Sequence, residues 1–151
     1  MDFQTDPHIC KYMVLLLPDK VRTVLEPTPG KGNLVKALTG FSVTAPKDFW
    51  SYRQGLTSTF DAVVMNPPFS PMGTGYRILF SVMELTDVII AVMPWFTIIN
   101  SVKRTSVIRE YGLKAVTHLP RSAFKGTRVQ TCILEMIRGY TGVTSMYFLS
   151  D

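Results

Sequence analysis

Phe60-Asp61-Ala62-Val63-Val64-Met65 runs directly into Asn66-Pro67-Pro68-Phe69. The first six residues are a short apolar run, the pattern of a buried strand. The next four cannot continue it. Two prolines remove two backbone donors and stiffen the turn, and the residue before the first is pushed out of the helical region, so Asn66 is held extended. The product is a rigid rim at the end of a buried strand, carrying an amide, two free carbonyls and an aromatic ring. Such a rim suits a planar substrate amine: oxygens accept its hydrogens and a ring stacks on its face.

Upstream stands Val24-Leu25-Glu26-Pro27-Thr28-Pro29-Gly30-Lys31-Gly32-Asn33-Leu34. Apolar residues before Glu26 read as a short strand, Val21 to Leu25. Gly30 and Gly32 permit a tight turn and close approach of a ligand to the backbone. Leu34, Val35 and Leu38 have the spacing of a helix packed on a sheet, predicted over Lys31 to Thr39. A phosphate-binding reading of Gly30-Lys31 fails, because no Gly stands five residues before Gly30 and Gly32 occupies the place of the required Ser or Thr.

The remaining chain alternates the two periods. A helix is predicted over Ile9 to Leu17, ended by Pro18, and a short strand over Phe41 to Ala45. Helices follow at Tyr76 to Leu85, behind a flexible Gly73 and Gly75, and at Asn100 to Tyr111 with Asn100 or Ser101 as its cap. Strands are predicted at Asp87 to Met93, Lys114 to Leu119 and Val129 to Ile137, with an edge at Met146 to Leu149. Such alternation implies an α/β domain, a mainly parallel sheet with helices on both faces.

With these residues in order, Asn66-Pro67-Pro68-Phe69 resembles the catalytic motif of S-adenosylmethionine-dependent methyltransferases acting on amines in planar systems, notably adenine-N6 nucleic-acid methyltransferases. The Glu26-Pro27 and Gly30-x-Gly32 loop resembles that family's cofactor loop, which wraps the methionine part of the cofactor. Leu119-Pro120-Arg121-Ser122-Ala123-Phe124-Lys125-Gly126-Thr127-Arg128 before the last long strand looks like modification subunits of restriction systems. Thr5-Asp6-Pro7 before an apolar helix resembles the segment beside the cofactor's methionine end. The resemblance covers almost the whole chain and implies a Rossmann-like fold, S-adenosylmethionine as cofactor, a catalytic Asn66, Pro67, Pro68 and Phe69, and a target base flipped from its stack.

Two departures accompany it. Between residues 39 and 60 the family usually has two strands and a helix, with a carboxylate ending the second strand to hold the ribose. Here that strand ends in Ala45-Pro46, so a helix and a strand are expected to be lost or reduced and cofactor affinity to be weak. Asp48-Phe49 resembles the family's later motif, in which an Asp meets the adenine amine and an apolar neighbour packs on the ring; a helix cap explains Asp48 equally well. The second departure is size: 151 residues read as one domain with no separate target-recognition part. Specificity is then low, or comes from a specificity subunit, a homo-oligomer or a structured substrate.

A formal charge of +5 favours an anionic partner, nucleic acid, and Arg121, Lys125 and Arg128 are the candidate phosphate contacts; the resemblance to restriction-system subunits implies DNA ahead of RNA. Cys10 and Cys132 read as small core residues in a reducing compartment, and His8 and His118 have no partners at metal-ligand spacing. No signal pattern opens the chain and no apolar run is long enough to span a bilayer, which points to an intracellular protein. A protein glutamine or other amine as substrate, a non-catalytic binding subunit, and a catalytic chain that works only with a partner stay open at this stage.

Overall fold

The computed structural model describes residues 5–69, 71, 73–124 and 129–150. Seven strands form one sheet in the order β2-β1-β3-β4-β6-β5-β7. They are β1 (Thr23–Leu25), β2 (Ser42–Thr44), β3 (Ala62–Met65), β4 (Val88–Pro94), β5 (Leu113–His118), β6 (Thr131–Ile137) and β7 (Ser145–Phe148). The pairs β1–β2, β1–β3, β3–β4 and β5–β7 are parallel. Strand β6 alone runs the other way, between β4 and β5. The mainly parallel α/β sheet expected from the alternation is therefore the one observed.

Helices lie on both faces. They are α1 (Pro7–Leu15), α2 (Asn33–Ala37), α3 (Phe49–Gln54), α4 (Thr74–Val82), α5 (Phe96–Ile99) and α6 (Val102–Tyr111). Alternate residues of the central strands serve opposite layers, as a two-residue period requires. Ala62, Val64, Ile90, Val92 and Ile133 pack with Ile9, Cys10 and Met13 of α1 and Leu34 of α2. Val63, Met65, Ile89, Ala91, Met93 and Leu134 pack with Ile78, Leu79 and Val82 of α4 and Ile108 of α6. Strand β3 is buried at all four positions, which explains an apolar run without polar alternation.

Side chains stop and start the helices where the sequence provides them. The carboxylate of Asp6 accepts from the His8 N–H at 2.8 Å to open α1, with a proline in the first turn. Ser101 accepts from the Arg104 N–H at 3.2 Å and opens α6. The region from 39 to 60 keeps one short helix, α3, and among the described residues no strand stands between β2 and β3. β2 is consequently an edge strand. The flexible role expected for Gly73 and Gly75 gives way to two specific ones. Gly73 caps α4 in the left-handed region at φ 92°, and Gly75 is a point of close contact described below. No helix among the described residues is long and apolar enough to cross a membrane.

Candidate active site

From β1 the chain moves to β2 on one side, then returns past β1 to form β3 on its other side. Winding reverses between β1 and β3, and in such sheets a crevice opens at the carboxyl ends of the two strands. The Gly-rich loop leaves β1 at that edge and the Asn-Pro-Pro-Phe turn leaves β3.

Glu26 continues β1 by donating its N–H to the Thr44 carbonyl at 2.9 Å. Its side chain is 1% exposed, and Oε1 accepts from the Thr28 N–H at 2.7 Å. Pro27 behind it is buried. The loop closes through the Gly32 N–H to the Pro29 carbonyl at 2.8 Å. Gly30 and Gly32 adopt φ of 53° and 91°, the left-handed region that glycine enters without penalty. A Cβ built on Gly32 would meet no atom within 4 Å, so the space over the loop is open. Thr28 Oγ1 is buried with no hydrogen-bond partner among the described residues. A buried carboxyl, an orphaned hydroxyl and a cleared turn are a donor set that fits the amino-acid end of S-adenosylmethionine.

Burial pushes the Glu26 carboxyl from its ordinary 4.5 up to about 8, against the lowering effect of the Thr28 N–H hydrogen bond. Its folded pKa lies above its unfolded one. Between those values the folded protein holds a proton that the unfolded chain releases, so the stability tied to this proton is present below about 4.5 and is lost as pH rises through about 8. The ligand-free protein should melt progressively lower from pH 5 to pH 8.5, and Glu26→Gln should flatten that slope. Thermal melts across the range check this; equal slopes in the two proteins would remove Glu26 as the source.

Asn66 follows the last residue of β3 and is half-buried. Its Nδ2 donates to Thr5 Oγ1 at 2.8 Å. Thr5 is itself buried, and its carbonyl accepts from Asn33 Nδ2 at 2.9 Å and from Cys10 Sγ at 3.5 Å. The structure thus brings Thr5, Asn33 and Asn66 together. Pro67 is buried and Pro68 exposed, while Phe69 is half-buried against the layer containing α1. A Cβ on Gly75 would come within 3.3 Å of the Pro68 carbonyl and 3.6 Å of Pro67 Cγ. The first turn of α4 therefore backs directly onto the proline rim. Sequence reasoning misses the site roles of Gly75 and Asn33; the one available signal is a glycine near a helix start.

The other expected residues lie as follows. Asp48 is an exposed N-cap of α3, accepting from the Ser51 N–H at 3.3 Å and the Ser51 hydroxyl at 3.2 Å. Phe49 is 5% exposed and belongs to the core, with Trp50 edge-on to its ring; Trp50, 47% exposed, is the ring at this surface. Arg121 sits in a short 3-10 turn, Arg121–Ala123, after β5. With the Gln130 amide turned to face it, the Gln130 oxygen accepts from Arg121 Nε at 2.7 Å. Lys125 and Arg128 lie outside the described residues. His118 accepts at Nδ1 from Trp95 Nε1 at 2.9 Å. Cys10 and Cys132 are free and buried, and burial pushes both thiols up to about 12. Among the described residues no cluster of His, Cys, Asp and Glu could hold a metal ion.

No family model and no curated protein matches the sequence. Solved structures match the fold. One described as a modification subunit of a type I restriction enzyme from Vibrio vulnificus superimposes with a TM-score of 0.75 at 16% identity, covering 99% of this chain and 47% of that one. A class I S-adenosylmethionine-dependent methyltransferase from Listeria monocytogenes gives 0.72 at 15% identity, over 96% of this chain and 64% of that one. The chain has the fold of an S-adenosylmethionine-dependent methyltransferase. A dimethyladenosine transferase from Plasmodium falciparum gives 0.66 at 17% identity, over 91% and 63%. This methyltransferase-fold chain spans less than two thirds of each of these neighbours.

Proposed function

We propose that the chain is an S-adenosylmethionine-dependent methyltransferase acting on the exocyclic amine of adenine in nucleic acid, DNA in preference to RNA. One observation carries the reading. Asn66 stands at the carboxyl end of β3, at the point where winding reverses, with its Nδ2 taken by Thr5. That bond uses one Nδ2 hydrogen and turns the carboxamide oxygen away from Thr5, free to accept from a substrate. Modification subunits of restriction enzymes and a dimethyladenosine transferase among the fold neighbours support adenine as the target, and the formal charge of +5 supports a polyanionic carrier of it.

S-adenosylmethionine supplies an electrophilic methyl group. The chain supplies position and polarity. Glu26 and the Gly30–Gly32 loop hold the amino-acid end. Asn66 Oδ1 and the Pro67 carbonyl accept the two hydrogens of the target amine, which draws its nitrogen toward tetrahedral geometry and frees the lone pair for in-line attack. Phe69 stacks on the flipped base. No strong base is required at attack, because the proton leaves afterwards to water; positioning and electrostatics set the rate. Asp48, at the surface beyond β2, is the carboxylate available to the cofactor's nucleoside half, with Phe49 holding its turn in the core. Without a carboxylate directly ending β2, affinity for free cofactor is low.

Calorimetry of the chain with S-adenosylmethionine, followed by transfer of labelled methyl to unmethylated DNA, RNA and protein, tests the reading. Weak but measurable cofactor binding and N6-methyladenine in DNA are expected. No binding at millimolar cofactor would favour a non-catalytic relative, and label in protein alone would move the substrate to an amide. Binding to DNA should weaken steeply with salt and depend little on sequence. If Arg121, Lys125 and Arg128 each neutralise a phosphate, their joint replacement by Gln lowers the log–log salt slope by about 0.9 per contact; an unchanged slope places the DNA elsewhere.

A further inference from the structure

The hydrogen bond from Asn66 to Thr5 has a consequence for which face the carboxamide shows to a substrate. An asparagine amide has two orientations that differ by exchange of oxygen and nitrogen. For an incoming amine the two are opposites: the oxygen accepts its hydrogens, whereas the NH2 group repels them. The extended backbone that Pro67 imposes on Asn66 does not choose between them. The partner of Nδ2 does.

We propose that Thr5 is a positioning residue that locks the Asn66 carboxamide with its oxygen toward the substrate, and that Asn33 in turn locks Thr5. This rests on the methyltransferase reading. Thr5 suits such a role on three counts. It is 4% exposed, it is β-branched and so stiff at χ1, and its Oγ1 lies 2.8 Å from Asn66 Nδ2. Its own carbonyl is held by Asn33 Nδ2 at 2.9 Å and by the Cys10 thiol at 3.5 Å. Asn33 is the first residue of α2 and follows Gly32 of the cofactor loop directly. One threonine therefore joins the loop leaving β1 to the turn leaving β3, although the contacts span 28 and 61 residues of sequence. A hydroxyl can also donate, so the competing state has Thr5 donating to Oδ1 with the NH2 group facing the substrate.

The experiment uses the full chain labelled with nitrogen-15, in wild-type, Thr5→Val and Thr5→Ser forms. Val matches the shape of Thr without the acceptor; Ser keeps it. Asn66 side-chain amide signals are assigned by their loss in Asn66→Asp. One Asn66 amide proton should exchange slowly in the wild-type and Ser proteins and lose that protection in the Val protein. Methyl transfer to DNA should fall about tenfold to a hundredfold in kcat for Thr5→Val, with KM for DNA and the Kd for S-adenosylmethionine within about twofold of wild type, and Thr5→Ser should recover most of it. A merely structural role for Thr5 would instead lower the melting temperature and weaken cofactor binding with no selective loss of kcat. Equal proton exchange in wild-type and Val proteins, or equal kcat, overturns the proposal. A protected amide in a protein that transfers methyl to no substrate overturns the methyltransferase reading and leaves the anchor standing.

Discussion

Asn66→Ala is expected to lower methyl transfer about a hundredfold to a thousandfold, the scale of losing a polar group that engages chiefly in the transition state. Affinity for S-adenosylmethionine should change little, because Glu26, Gly30 and Gly32 stand on a different strand's loop. The fold should also survive. Asn66 is half-buried and gives up one side-chain hydrogen bond, to Thr5, a change worth about 0.5–1.5 kcal/mol. The deciding measurement is turnover alongside a thermal melt and a cofactor titration on one preparation. Stable, cofactor-binding, inactive protein supports the catalytic role, and near-normal turnover removes it. Phe69→Ala makes an instructive companion. Its ring packs on the layer containing α1, so it should lower the melting temperature as well as weaken capture of the flipped base, by about 1–3 kcal/mol if stacking is its role. Phe69→Tyr should restore both.

The largest effect on stability is expected at the opposite end of the sheet, at Gly112. This residue ends α6 and begins the path into β5 at φ 130°. A Cβ there would lie 2.0 Å from the Ile137 carbonyl oxygen and 2.8 Å from the Tyr140 nitrogen. Both obstacles are backbone, tied down by the Ile137 N–H to the Gly112 carbonyl at 3.0 Å and the Gly139 N–H to the Tyr111 carbonyl at 2.8 Å. Neither can yield as a flexible side chain would. Gly112→Ala should cost about 3 kcal/mol or more, lowering the melting midpoint by roughly 10 °C for a chain of this size. Gly139→Ala is the control: φ is also positive, at 83°, but its Cβ meets nothing within 4 Å, so only the left-handed penalty of about 1–2 kcal/mol applies. Denaturant melts of the two variants side by side check the difference; equal losses would mean that backbone conformation, not the clash with β6, sets the cost.

Much of the site was legible because its parts are local. Two prolines after a buried run stiffen a turn wherever the strand sits, and glycines at two-residue spacing after Glu26 announce a loop with unusual backbone angles. The start of α6 followed a cap that the sequence shows, Ser101, whereas α1 opens two residues before the expected Ile9, at Pro7 behind the Asp6 cap, and ends at Leu15. Asp48 illustrates the limit. Cap and ligand use the same carboxylate, and only the bonds to Ser51 show it capping α3. Phe49 beside it was expected near a cofactor ring, yet it is a core residue; one aromatic after an Asp does not say which of Phe49 and Trp50 turns inward.

By itself the sequence determined the alternation of strands and helices, the stiff rim at Asn66 to Phe69 and the turn at Gly30 to Gly32. These follow from backbone chemistry and periodicity within a dozen residues. Tertiary structure alone decided the rest. It set β6 antiparallel between β4 and β5, because an apolar run buried on both faces reads the same in either direction. It brought Gly75 against the proline rim and Thr5 between Asn33 and Asn66, contacts that exist only once the sheet has stacked distant segments at one edge. It also buried Glu26, raising its pKa to about 8: desolvation belongs to the environment that the whole fold builds around a carboxylate, and no neighbour in the sequence carries it.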